Sequence, residues 1–379
     1  MKKIRAFISV GEISGDNYAS ELIKNLPEFE WKGITGPKLR KAGCKTIEKM
    51  ENISVVGITE ALPKYFNIKK AFKKAVKELD KGIDLLVVVD FPGFNLKLIE
   101  EAKKRNIKTV YFIAPQVWAW GRSRIPKIVK NTDLLISIWP FEKEVYKKYL
   151  TQFRFEYVGH PLIDIIKTET SEDLFKKVLN IQKESKVFGL LSGSRESEVK
   201  TLLPIMLESA RIIIKKKPEF SFVIPVTPNV ENLALSITRN YSDLPVKIVT
   251  QKHFNYPSYE VMKNASFSII ASGTATLEAA IIGNPFVLVY KVSPMTFFVG
   301  KLLVSISFLG LPNLIAKKEV IKELLQKDCN PEKIANISME YLSNNSLYNK
   351  TKKELENVRA KLGEGGAIRK TAKLIKSII

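Results

Sequence analysis

Ala271-Ser-Gly-Thr-Ala-Thr-Leu-Glu278-Ala-Ala-Ile-Ile-Gly283-Asn-Pro285 is the stretch whose reading decides the fold. Ser268-Phe-Ile-Ile-Ala271 leads into it as a strand end, and Gly283 with Pro285 stops a short helix behind it. A chain that passes straight from strand to helix N-terminus builds an α/β unit. Here Ser272-Gly273-Thr274 leaves backbone N–H groups free to meet phosphate oxygens. Glu278 lies on the same helix face as Thr274, one turn in, where a carboxylate accepts hydrogen bonds from a ribose diol. The segment reads as a nucleotide-diphosphate site. A Thr-capped, Gly-stopped core helix is the competing reading of the same spacing.

The same alternation extends in both directions. Strand-like runs at Ile4–Val10, Leu85–Val89, Thr109–Ile113, Leu134–Ile138 and Phe155–Val158 are separated by charged stretches of helical period. The pattern pauses around Gly159-His160-Pro161 and restarts at Val187–Ser192, Ser221–Val226, Val246–Val249, Ser268–Ala271 and Pro285–Tyr290. Two doubly wound parallel sheets follow: a domain over residues 1–165, a second over 166–350, and helices over 351–379 docking back on the first. The last helix, Ala367 to Ile379, is amphipathic through Ile368, Ala372, Ile375 and Ile379. Ligands of such sheets sit beyond the carboxyl ends of strands, so the informative loops start at Gly11, Asp90, Ala114, Gly193, Ser272 and Lys291.

Composition bounds the rest. A chain of 379 residues, 45% hydrophobic, splits into about two domains of ~150 to 200 residues and is not disordered. Cys44 and Cys329 stand far apart without metal-ligand spacing, so no zinc site or disulfide framework is expected and a reducing cytosol is. The apolar run Ala6–Val10 is too short for a signal peptide, and no run of ~18 apolar residues suggests a membrane span. The net charge of +22 predicts attraction to a polyanion. Its lysines are scattered through amphipathic segments without a nucleic-acid motif, which favours an anionic membrane surface; compositional or thermal bias is the alternative.

Gly11-Glu12-Ile13-Ser14-Gly15-Asp16 opens a helix after the first strand. It is not G-x-G-x-x-G, and its two carboxylates suit sugar hydroxyls better than a pyrophosphate, with a structural turn equally compatible. Asp90, in Val87-Val-Val-Asp90-Phe-Pro92-Gly93-Phe-Asn95, ends a buried strand, where desolvation raises a carboxyl toward a general base; a turn-capping aspartate is the alternative. Gly193-Ser194-Arg195 points a guanidinium at a diphosphate leaving group, unless Arg195 is an ordinary surface arginine. With no metal cluster visible, that charge takes the place that Mg²⁺ often fills. Pro115-Gln116-Val117-Trp118-Ala119-Trp120 offers rings for a sugar face or an acyl path, or for the core. Val55, Ile58, Leu62, Tyr65, Phe66, Phe72 and Val76 form an apolar stripe flanked by Lys64, Lys69, Lys70, Lys73, Lys74 and Lys77. It suits an anionic bilayer or burial against the first domain, in two short helical pieces because Pro63 interrupts it. A second apolar candidate runs from Met295 to Leu309.

Taken together these loops resemble the lipid-A-disaccharide synthases, glycosyltransferases of the GT-B type with two Rossmann-like domains facing a central cleft. The motifs that carry the resemblance span nearly the whole chain: Gly-Glu-x-Ser-Gly-Asp at 11–16, Val-Gly-Ile-x-Glu at 56–60, Asp90-x-Pro-x-Phe-Asn95, Pro-Gln-Val-Trp-Ala-Trp at 115–120 and Pro140-Phe-Glu-Lys143. Val-Gly-His-Pro at 158–161, Gly-Ser-Arg at 193–195, Ser-Gly-Thr-Ala-Thr-Leu-Glu at 272–278, Leu-Pro-Asn at 311–313 and Glu-Leu-Leu-Gln at 323–326 complete them. The resemblance implies transfer from UDP-2,3-diacylglucosamine to 2,3-diacylglucosamine 1-phosphate with inversion, giving a β-1′,6 disaccharide 1-phosphate and UDP. It implies a cytoplasmic protein peripheral to the inner membrane, a homodimer, and no cofactor. It makes Asp90 the catalytic carboxylate and Arg195 the contact to the nucleotide phosphates. Gly193, Ser194, Ser272, Gly273, Thr274, Glu278 and Asn313 then line UDP, while Glu12, Ser14, Asp16, Asn95 and Trp118 meet the acceptor. Ile58, Leu62, Tyr65, Phe66, Lys69, Lys70 and Phe72 meet the membrane. The family's usual second aspartate in Asp-x-Pro-Asp-Phe-Asn is Gly93 here, which weakens any mechanism needing two carboxylates in that loop. Rival readings are another GT-B enzyme acting on UDP-N-acetylglucosamine, or a non-enzymatic basic protein that binds membrane or nucleic acid. Of two histidines, His160 suits a structural linker better than catalysis.

Overall fold

The computed structural model describes residues 3–54, 58–119, 121–293, 297 and 307–379, with only the backbone of 58–64. Contacts divide the chain into two units, residues 1–164 with 362–379, and residues 165–361. Each is a parallel α/β sheet.

In the first unit the strands are β1 (Ile4–Val10), β2 (Phe29–Thr35), β3 (Lys45–Lys49), β4 (Leu85–Val89), β5 (Lys108–Phe112), β6 (Leu134–Ser137) and β7 (Arg154–Tyr157). Their order is β3-β2-β1-β4-β5-β6-β7. In the second unit β8 (Lys186–Leu191), β9 (Phe220–Pro225), β10 (Val246–Val249), β11 (Ala265–Ala271), β12 (Phe286–Tyr290) and β13 (Glu323–Leu325) take the order β10-β9-β8-β11-β12-β13. Central strands read as unbroken apolar runs, Leu-Leu-Val-Val-Val in β4 and Phe-Val-Leu-Val-Tyr in β12, because helices cover both faces. In both sheets the winding reverses beside the first strand, between β1 and β4 and between β8 and β11. A crevice opens at the carboxyl ends of such a switch point, and that is where a doubly wound sheet receives a ligand.

Three strands had no counterpart in the sequence reading. β2 alternates poorly and contains Gly33, where a Cβ would lie 1.9 Å from the Ile8 carbonyl oxygen, so packing against β1 dictates the glycine. β3 is a charged edge, Lys-Thr-Ile-Glu-Lys, with a register shift opposite Gly33 and Ile34, and β13 is three residues long. The helix Ile58–Leu79 is continuous through Pro63, correcting the expected break. A proline this near the N-terminus removes one hydrogen bond from a helix of 22 residues, and the remaining turns carry it.

At the C-terminus, the helix Ala367–Lys376 packs in the first unit. The Asp164 carboxylate accepts from the N–H groups of Gly366 and Ile368, the latter at 3.0 Å, and Lys376 pairs with Glu28 at 2.6 Å. The preceding helix, Asn345–Lys361, stays with the second unit, because Leu355 and Val358 are buried there and the Tyr348 hydroxyl donates to the Ser266 carbonyl at 2.8 Å. The return to the first unit therefore begins at 362 and not at 351.

Candidate active site

At the first switch point Val10 and Val89 are paired neighbours, so the loops after β1 and β4 emerge side by side. The second loop begins in an unusual backbone: Asp90 (φ 46°) and Phe91 (φ 51°) are both left-handed. Each costs about 1–2 kcal/mol in an L-residue, so the surroundings must hold them. They do. Asp90 N–H donates to the Ile113 carbonyl at 3.0 Å, and the Asp90 carbonyl accepts from the Tyr111 hydroxyl at 2.9 Å and the Asn95 amide at 2.8 Å. The strand end, the loop and the next helix, Pro92–Lys103, are thereby locked together.

Asp90 is half-buried at the end of its strand. Burial, and then the charge of Glu12, push it up to about 7, against a smaller opposing pull from the Phe91 N–H. A carboxylate poised there takes a proton from a hydroxyl at neutral pH far better than one in water. Gly93 faces open space, and a Cβ there would meet nothing within 4 Å.

Two residues read as acceptor contacts prove to be clamps. Asn95 is fully buried: its amide also donates to the Val89 carbonyl at 3.2 Å, and its carbonyl oxygen accepts from the Ser9 hydroxyl at 2.7 Å. With every polar atom used, it positions Asp90 and has none left for a sugar. Asp16 is 1% exposed and accepts from the N–H groups of Gly36, Lys38 and Leu39 at 3.0, 2.8 and 3.1 Å, capping the helix Pro37–Lys41. Glu12 is exposed and Ser14 half-buried, so both remain available. Trp118 is half-buried, its ring meeting Phe141 edge-on at 5.0 Å and Trp139 at 6.3 Å; Trp120 lies outside the described residues.

Sequence reasoning assigned no role to Glu142 or Tyr111. Glu142 is fully buried, accepts from the Ser137 hydroxyl, and is pushed up to about 8 by burial, with Asp90 adding to the shift. Its only signal was its place in Pro140-Phe-Glu-Lys143. His160 is 2% exposed between Tyr18 and Trp139, and burial pushes it down to about 3, so it is a neutral packing residue whose Nδ1 accepts from the Leu162 N–H.

The second switch point is finished differently. Leu191 pairs with Ile270, and Ala271 with Val289, so Gly193-Ser194-Arg195, Ser272-Gly273-Thr274 and Tyr290 share one sheet edge. Gly273 (φ 150°) has nothing within 4 Å of a Cβ position, and the helix Thr274–Ile282 starts there without a side-chain cap. The Ser272 N–H, expected to be free, donates to the Val289 carbonyl and the Thr276 N–H to the Gly273 carbonyl, both at 3.1 Å, so the N–H groups between them, from Gly273 to Ala275, are the ones placed for an anion. Arg195 is half-exposed and pairs with Glu198 at 2.9 Å; a Cβ at Gly193 (φ 103°) would collide with that same Glu198 carboxylate. Glu278 accepts from the Tyr259 hydroxyl at 3.2 Å. Glu198 and Tyr259 were not foreseen, since neither lies in a motif.

Asn313 also needs correction. It is fully buried, donates to the Ile321 carbonyl and the Glu323 carboxylate at 2.8 Å each, and accepts from the Val320 and Ile321 N–H groups at 2.7 and 3.0 Å. Leu-Pro-Asn and Glu-Leu-Leu-Gln are thus two halves of one clamp, in which Gln326 holds both main-chain groups of Val292. Asn313 shapes the segment leading into β13, and its side chain has no polar atom free for UDP.

On the helix Ile58–Leu79, Ala71, Ala75 and Leu79 are buried, while Tyr65 (58%), Phe66 (78%), Lys69 and Lys70 are exposed and Phe72 packs edge-on against Phe94 at 5.4 Å. The side chains of Ile58 and Leu62 lie outside the described residues, as does most of Met295–Leu309. Among the described residues no helix is long and apolar enough to cross a membrane, and no group of three or more His, Cys, Asp or Glu residues could hold a metal.

Solved structures share this architecture at low identity. A UDP-GlcNAc 2-epimerase from Neisseria meningitidis bound to UDP-GlcNAc superposes with a TM-score of 0.66 at 14% identity, covering 99% of this chain and 100% of that one. CalG4, the calicheamicin glycosyltransferase, gives 0.61 at 13% over 100% and 98%. These place the fold with the GT-B glycosyltransferases and epimerases. Closer relatives are lipid-A-disaccharide synthases from Persephonella marina, 65% identical over 379 residues, and from a Sulfurihydrogenibium species, 58% identical over 387 residues; each covers 100% of this chain and 99% of the relative. The pattern of the lipid-A-disaccharide synthetases matches residues 6–378, and the chain belongs to that family.

Proposed function

We infer that Asp90 is the general base of the family's reaction in this chain. The reaction is inverting transfer of 2,3-diacylglucosamine from its UDP donor to the 6-hydroxyl of 2,3-diacylglucosamine 1-phosphate. The observation that carries the assignment is the Asp90 carboxyl, fixed in a left-handed backbone at the first switch point and pushed up to about 7 by burial and by Glu12. As the acceptor oxygen attacks the anomeric carbon, Asp90 takes its proton. The bond to the diphosphate breaks on the opposite face, and the electron pair leaves with UDP. The N–H groups of Gly273 and Thr274 and the Arg195 guanidinium receive that charge, Arg195 exchanging Glu198 for phosphate, while the Ser272 N–H, held by the Val289 carbonyl, fixes the turn that presents them; Gly193 and Ser194 lead into Arg195. Glu278 holds the ribose. Glu12, Ser14 and Trp118 contact the acceptor sugar.

The exposed Tyr65, Phe66, Lys69 and Lys70 rest on the anionic cytoplasmic face of the inner membrane, where each lysine contributes about 1 kcal/mol and the rings enter the headgroup boundary. The active form is a homodimer. The test is mass spectrometry of the purified protein with UDP-2,3-diacylglucosamine and 2,3-diacylglucosamine 1-phosphate in detergent micelles, with UDP-N-acetylglucosamine as control donor. Tetra-acyl disaccharide 1-phosphate with equimolar UDP is expected. Consumption of the unacylated donor alone would return the chain to the wider set of UDP-sugar enzymes.

A further inference from the structure

Gly11 ends β1, and Phe91 follows Asp90 at the end of the neighbouring β4. A Cβ built on Gly11 would lie 2.1 Å from Cγ of Phe91 and 2.5 Å from both Cδ atoms, so the ring lies flat on the glycine and no other residue fits beneath it. The ring then stacks on Phe94 at 5.5 Å with a 17° tilt, and Phe94 meets Phe72 edge-on at 5.4 Å. A column of rings therefore runs from the switch point to the helix that carries the exposed Tyr65 and Phe66. Backbone hydrogen bonds hold both sides of it, since the Phe91 carbonyl accepts from the Phe94 and Asn95 N–H groups at 3.2 and 2.9 Å, and the Ser54 hydroxyl donates to the Gly11 carbonyl at 2.7 Å.

We propose that Phe91 is a positioning residue for the transfer: its ring, clamped between Gly11 and Phe94, holds Asp90 in its left-handed conformation and keeps water off the side of the carboxylate that faces the loop after β1. The inference rests on Asp90 being the base. Three titratable groups surround that carboxylate: Glu12 from the loop after β1, Tyr111 from β5, and Glu142 from beyond β6. Glu12 raises its proton affinity by charge, and the charge of Asp90 in turn raises those of Tyr111 and Glu142. Phe91 acts on the desolvation that outweighs the Glu12 charge, which no charge substitution imitates.

The experiment measures kcat, KM and the pH profile of kcat/KM from pH 5.5 to 9, with thermal melting, for Phe91→Ala, Phe91→Leu, Phe91→Tyr, Gly11→Ala and Asp90→Asn in the full chain. Phe91→Ala lowers kcat about 10- to 100-fold, the scale set by a base misplaced by an ångström, and leaves the donor KM within about threefold. Its acid limb moves down by about one pH unit as water reaches Asp90. Phe91→Leu keeps the apolar volume and the fold, and shows the same shift in smaller degree. Gly11→Ala, whose methyl takes the place of the ring, reproduces the rate loss and the shift, and Phe91→Tyr recovers most of the rate. If Phe91→Ala and Phe91→Leu melt lower but keep their kcat and acid limb, the ring is only packing and the proposal fails. If Asp90→Asn keeps its turnover, the base assignment fails instead, whatever the ring variants do.

Discussion

At the first switch point the polar groups are already spent inside the protein: Asn95, Asp16 and the Asp90 backbone are fully bonded, two successive residues are held left-handed, and a carboxyl sits with its proton affinity raised. At the second, an uncapped helix N-terminus opens behind a glycine with nothing near its Cβ position, and a half-exposed arginine pairs with a neighbouring glutamate. The two edges have the same strand order, so topology does not cause the contrast. On the roles proposed for them, the chemistry asked of each accounts for it. A base must be kept out of water before substrate arrives, which needs a rigid, over-determined pocket. A diphosphate brings its own charge, and the protein has only to leave unsatisfied donors where it lands.

Asp90→Asn strains this comparison hardest. It is expected to lower turnover by about a thousandfold or more while UDP affinity, measured by calorimetry, stays within twofold, because the second edge is untouched. Near-normal turnover would remove Asp90 from its role. The wild-type kcat/KM is expected to fall with one-proton slope below pH about 7, the value to which burial brings Asp90. Stability moves the other way. The Asp90 carboxyl titrates near 3.8 when exposed and near 7 in the fold, so the native state holds the proton more tightly. Its contribution is full below pH about 4 and is lost as the pH rises to 7. The variant has no such loss and should melt above the wild type at pH 8, by at most about 4 kcal/mol, with the advantage gone at pH 4.

Arg195→Ala comes next. The second edge should lose about 10- to 100-fold in UDP affinity, the worth of one charge-assisted contact, with a further fall in kcat if the guanidinium meets charge that grows during departure. Affinity and rate both unchanged would leave the helix N-terminus as the sole phosphate holder.

Asn313→Ala separates clamp from contact. It removes the partner of the Val320 and Ile321 N–H groups and of the Ile321 carbonyl, at about 2 kcal/mol or more in urea unfolding of the second unit, yet should leave UDP affinity within a few-fold. A large affinity loss without a stability loss would reverse its assignment.

Such clamps mark the limit of what the chain discloses before it folds. Both central sheets and the loops at their switch points were legible, because unbroken apolar runs and glycine-bearing strand ends are local signals. Asn95, Asp16 and Asn313 carry the same residue types at the same strand ends as ligand contacts do. Only the fold reveals that Asp16 is used up by an N-terminus some twenty residues on, or Asn313 by the segment that leads into the next strand. β2 and β3 were hidden for a kindred reason: Gly33 and the charges of an edge strand answer to neighbours across the sheet, not along the chain.

Glu198→Gln is the mildest and the most discriminating of these changes. Glu198 packs against Gly193 and pairs with Arg195 at 2.9 Å, and the pair is partly solvated, worth about 0.2–1 kcal/mol. Two roles fit that geometry. If the glutamate merely occupies the arginine until phosphate displaces it, the isosteric glutamine keeps the packing and removes the competitor, and UDP binds about two- to fivefold more tightly with a steeper salt dependence. If it instead aims the guanidinium, the freed arginine wanders, and affinity falls although the site has become more positive. The first outcome fits an edge completed by its ligand. The second would make the nucleotide edge as pre-organised as the base, and the contrast between the two switch points would reduce to one of depth.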